Sequence, residues 1–69
     1  MKISVRYLYN ERSNSPIENG LEIMYFDDYS YEDIEDGTLE ERELIDLIIK
    51  SLKGQYGYYS VKVTSFSEL

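Results

Sequence analysis

The sequence predicts an α+β domain: a three-stranded antiparallel sheet, built in the order β-β-α-β with strand order 2-1-3, and one helix packed on one face. Three observations predict it. Three stretches alternate apolar and polar residues with a period of two, as half-buried strands do. One stretch, after Thr38, repeats its apolar residues at helical spacing. The chain has 69 residues, enough for one domain with a small core, so residues 1–69 read as a single unit.

The first strand runs from Lys2 to Tyr9. Ile3, Val5, Tyr7 and Tyr9 share one face, and Lys2, Ser4, Arg6 and Leu8 the other. Asn10 to Gly20 reads as a loop, because it holds Asn, Ser, Pro16 and an Asn19-Gly20 pair, all turn chemistry. The second strand is placed at Leu21 to Phe26, with Leu21, Ile23 and Tyr25 on one face. An acidic connection, Asp27 to Gly37, follows.

The helix has the clearest signals. Thr38 and Glu41 have capping-box spacing. Glu40, Glu41 and Glu43 suit the positive end of the helix dipole, and Lys50 and Lys53 the negative end. Leu44, Ile45, Ile48, Ile49 and Leu52 form one apolar stripe with Leu47 at its edge, and Gly54 is the expected stop. The third strand is placed at Tyr58 to Phe66, where Tyr59, Val61 and Val63 alternate with polar residues.

A helical crossover between the second and third strands is right-handed and makes them parallel. The first strand then takes the central slot, antiparallel to both. The helix is expected to cover Ile3, Val5, Tyr7, Leu21, Ile23, Val61 and Val63. The opposite face would show Arg6, Leu8, Met24, Phe26, Tyr58, Lys62 and Phe66. Its apolar members Leu8, Met24, Phe26, Tyr58 and Phe66 make it a candidate surface for a homodimer; the alternative is cover by the acidic connection through Tyr29, Tyr31 or Ile34.

Composition narrows the chemistry. There is no Cys and no His, which removes disulfides, thiolate metal sites and the usual neutral-pH base. Ser13 and Ser15 sit in a flexible polar loop with no nucleophile signature around them. Asp33 to Gly37 fails the calcium-loop pattern, because Ile34 falls where an oxygen ligand is needed. No enzymatic activity, metal or cofactor is expected. No apolar run approaches the roughly 20 residues of a membrane helix. The first residues also lack the apolar core of a signal peptide, so a cytoplasmic location is expected.

Charge is the most informative property. The net charge is −7, from 14 acids and 7 bases, which argues against direct nucleic-acid binding. The acids are not spread evenly. Residues 27–46 hold ten of them, Asp27, Asp28, Glu32, Asp33, Glu35, Asp36, Glu40, Glu41, Glu43 and Asp46, against Arg42 alone. Tyr29 and Tyr31 are interleaved. A helix start accounts for a few acids, not for ten. Such a stretch suits docking on a basic protein surface, with Asp27, Asp28, Tyr29, Tyr31, Glu32, Asp33, Glu35, Asp36, Glu40 and Glu43 as the contact residues.

In size and composition the chain resembles the small acidic inhibitors encoded by phages and mobile elements, the anti-CRISPR and anti-restriction proteins that mimic DNA. The resemblance implies a non-enzymatic inhibitor acting in a bacterial cytoplasm on a nucleic-acid-binding nuclease. It rests on size, acidity and the absence of Cys, and assigns no residue a role.

Overall fold

The computed structural model describes residues 1–27, 34 and 39–69, and for Leu39 the backbone alone. Strand β1 spans Lys2–Asn10, β2 Glu18–Tyr25, helix α1 Leu39–Tyr56 and β3 Ser60–Glu68. The strands form one sheet in the order β2-β1-β3, antiparallel at both junctions. This is the expected α+β class, with one helix among the described residues and the expected strand order.

The core lies between β1 and the helix. Ile3, Val5 and Tyr7 are buried against Leu44, Ile48 and Leu52. Those helical residues are four apart and so fall on one stripe. Full burial of one such side chain stabilises the fold by about 1.5–3 kcal/mol. Leu47 sits at the edge of the stripe, 38% exposed.

The capping-box residue Thr38 lies outside the described residues. At the other end the helix runs past Gly54 to Tyr56, which corrects the expected stop. Gly57 ends it instead, with φ at 72°. Its N–H donates to the Lys53 carbonyl at 2.8 Å, the left-handed cap that glycine permits without a Cβ penalty.

Strand β2 departs most from expectation. It begins at Glu18, and it is turned over. Its register pairs Ile3 with Met24, Val5 with Glu22 and Tyr7 with Gly20. Residues directly opposite one another share a face. Gly20, Glu22 and Met24 therefore face the helix, while Leu21 and Ile23 face away from it. The cause is Tyr7. A Cβ at Gly20 would overlap the far end of the Tyr7 ring and lie 2.8 Å from its hydroxyl oxygen. Asn19-Gly20 is thus not a turn. It is strand, with a glycine where a ring needs the room.

Strand β3 carries a bulge. Val63 pairs with Tyr7 and Ser65 with Arg6, so the register shifts by one at Thr64. The Thr64 hydroxyl donates to the Arg6 carbonyl at 3.0 Å. The extra residue turns Phe66 inward, opposite Val5, where it packs against the core. Uninterrupted alternation would have left it outside.

The expected open-face set needs correcting for the same reasons. Met24 faces the helix because β2 is turned over, and Phe66 because of the bulge. Phe26 lies beyond β2, held by paired backbone bonds with Met1, its N–H donating to the Met1 carbonyl at 2.8 Å. Tyr58 precedes β3. All four pack against the core, and only Leu8 of the five stays on the open face.

The β1–β2 loop is held rather than loose. The Arg12 N–H donates to Ser15 Oγ at 2.9 Å, and Ser15 Oγ donates back to the Arg12 carbonyl at 2.8 Å. Asn10 Nδ2 reaches the Ser15 carbonyl, and Asn10 Oδ1 accepts from Ser60 Oγ at 2.6 Å. One side chain therefore ties the loop to the start of β3. Among the described residues, no helix is long and apolar enough to cross a membrane.

Candidate interaction surfaces

The outer face of α1 carries the described part of the acidic stretch. Glu40, Glu43 and Asp46 are exposed, and so is Asp27 at the end of β2; Glu41 is half-buried. Glu40, Glu43 and Leu47 follow three- and four-residue spacing, so they form one ridge with Asp46 beside it. A shallow depression is lined by Glu43, Asp46, Leu47 and Lys50. Glu40 and Glu41 stabilise the helix start through the dipole, whereas Glu43 and Asp46 lie beyond its first turn. Asp28, Tyr29, Tyr31, Glu32, Asp33, Glu35 and Asp36 lie outside the described residues.

The opposite side of the molecule is chemically different. On β2, Leu21, Ile23 and Tyr25 are exposed by 60%, 54% and 67%. They stand at alternate positions and so form one apolar strip along an edge strand. Beside them β1 presents Lys2 and Arg6, and β3 presents Lys62, which pairs with Leu8. Lys2 Nζ stands 5.4 Å from the centre of the Tyr25 ring, within reach of a cation–π attraction. The strand acids are all on the other face. Glu18 pairs with Tyr9, Glu22 with Val5 and Glu68 with Ile3, residues of the helix side.

The folded strands therefore bring three of the seven bases onto a face that holds no acid among the described strand residues. Arg6 and Lys62 stand on the uncovered face as the alternation of their strands predicts, but their neighbours there are Leu21, Ile23 and Tyr25, not the expected Met24 and Phe26. A detectable signal existed at Gly20, the strand position most able to sit opposite a buried ring.

Four tyrosines are structural. Tyr9 stacks on Tyr58 with ring centres 4.2 Å apart, Tyr56 stacks on Tyr58 at 5.2 Å, and Tyr7 lies 5.6 Å from Tyr9. This cluster joins β1, the end of α1 and the entry to β3. Tyr56 OH donates to Glu22 Oε2 at 2.8 Å, tying the helix end to β2. Burial, then contact with Tyr58, pushes the Tyr7 phenol well above its ordinary value. Burial, then the charge of Glu18, raises Tyr9. The hydrogen bond to the Glu22 carboxylate, then burial, raises Tyr56. Each cause favours the neutral phenol.

A cleft of about 300 Å³ lies between α1 and β3, lined by Ile34, Glu41, Ile45, Val63, Thr64, Ser65 and Phe66. Among the described residues, Glu41 is its one titratable side chain. Among the described residues, no three of Asp, Glu, His or Cys are grouped to hold a metal. Compared with known protein families, curated proteins and solved structures, the chain matches none.

Proposed function

We propose that the chain is a non-enzymatic binding protein that docks its acidic face on a basic, nucleic-acid-binding protein. The mode of action would be that of the small phage or mobile-element inhibitors it resembles. One observation carries the reading: Glu40, Glu43 and Asp46 project from the solvent side of the helix, next in the chain to six further acids at 28, 32, 33, 35, 36 and 41. A row of carboxylates on a rigid helix offers charge at spacings a phosphate-binding channel can accept, and it steers association. The aromatic contact area would come from Tyr29 and Tyr31, which share that stretch with the acids.

The test uses affinity capture from a bacterial host, eluted by a salt gradient. The reading expects a nucleic-acid-binding protein to be retained at low salt and displaced by added DNA. The variant with Asp33→Lys, Asp36→Lys, Glu40→Lys and Glu43→Lys should stay folded and bind that partner more than about tenfold more weakly. Equal capture by the variant, or retention that ignores both salt and DNA, refutes it.

A further inference from the structure

The open sheet face needs its own account, because it is apolar and basic in a protein that is acidic. Leu21, Ile23 and Tyr25 leave most of their surface in water, and covering that apolar area would be favourable. Lys2, Arg6 and Lys62 stand beside them. An anionic partner with some apolar surface would satisfy both properties.

Such a surface exists on the same molecule. On the outer side of α1, Leu47 is 38% exposed and is framed by Glu43, Asp46 and Lys50, with Glu40 one turn before Glu43. An exposed leucine with three acids and one base around it is the complement of an apolar strip among bases. We propose that the open sheet face of one copy receives the acidic outer face of α1 from a second copy, so that copies join head to tail.

The charges decide against the simpler alternatives. Two sheet faces packed back to back would bring six cations together with no acid from the described strand residues of either face, and like charges in contact are costly. The back-to-back homodimer is therefore the weaker arrangement. Single-stranded nucleic acid would be drawn by the three cations, but such strands bind by stacking bases on aromatic rings. Among the strand residues of this face, only Tyr25 has a ring, and Lys2 already stands over it; Leu21 and Ile23 offer none. The net charge of −7 works against association, but repulsion between exposed charges is screened beyond about 8 Å at physiological ionic strength. The contact itself is shorter-ranged.

A head-to-tail contact uses two different patches, so each added copy leaves one of each free. It gives chains or rings, with no natural halt at two copies. It is independent of the proposed foreign partner, although both use the outer face of α1.

The test is sedimentation equilibrium on the whole chain and two charge-reversed variants. One carries Arg6→Glu and Lys62→Glu on the sheet face; the other carries Glu43→Lys and Asp46→Lys on the helix. The average mass of the unaltered protein should rise with concentration beyond that of a dimer. Each variant alone should remain a monomer, and an equimolar mixture should associate again, because each supplies the face the other lacks. Recovery on mixing cannot come from unfolded chains. Three results overturn the proposal: a strict monomer up to about 1 mM, association of the helix variant as strong as that of the unaltered chain, or a monomer whose sheet face binds a labelled oligo(dT).

Discussion

The ring of Tyr7 occupies the space that a side chain at Gly20 would fill, and this contact decides which way β2 faces. Tyr7 is buried among Tyr9 and Tyr58 and has little freedom to move aside. Gly20→Ala should therefore destabilise the domain by about 1–3 kcal/mol, the usual range for overpacking. Chemical denaturation would measure it. Combining it with Tyr7→Leu should recover part of the loss, since the two residues share one space.

The bulge at Thr64 makes a different prediction. Removing Thr64 closes the ladder to a regular one without changing which face Val63 or Phe66 occupies. The loss should be limited to about the 0.5–1.5 kcal/mol of its hydrogen bond to Arg6. Removing Lys62 instead would shift Val61 or Val63 off the core and should cost far more. Urea midpoints of the two deletions compare them directly, and equal losses would contradict the assigned register.

Alkaline pH tests the tyrosine cluster. Tyr7, Tyr9 and Tyr56 all have phenol pKa values raised by the fold. The unfolded chain gives up these protons near pH 10, while the folded chain keeps them. Their contribution to stability is thus complete below that pH and is lost as pH rises above it. The urea midpoint should fall above about pH 10, with tyrosinate absorbance rising in step with unfolding. Tyrosinate that forms fully while the fold persists would contradict the cluster.

Class, strand order and helix stripe were legible because they rest on periodicity, which a sequence displays directly. Ile3, Val5 and Tyr7 alternate, and Leu44, Ile48 and Leu52 recur every fourth residue. The facing of β2 was not legible, since Leu21, Ile23 and Tyr25 are as apolar as Met24 and Phe26 on the other side. Periodicity was ambiguous there, and the fit between Tyr7 and Gly20 resolved it. Phe66 was misplaced because a bulge breaks the period without a mark in the sequence. The acidic helix face was visible as a run of letters. The bases of the open face, Arg6 and Lys62, were legible from strand alternation; their apolar neighbours Leu21, Ile23 and Tyr25 were not, because the register of β2 puts them there.

The two-faced character of the molecule depends on the orientation of β2, and one measurement reads it directly. The chain has no cysteine, so a single introduced thiol reports its own exposure. Ile23→Cys and Met24→Cys, each reacted with a thiol reagent under native conditions, should differ sharply. At a dilution that keeps the chain monomeric, the thiol at position 23 should react clearly faster than the half-buried thiol at position 24. The reverse order would contradict the account, since it would put the strip of Leu21, Ile23 and Tyr25 beneath the helix and leave no apolar, basic face for a partner.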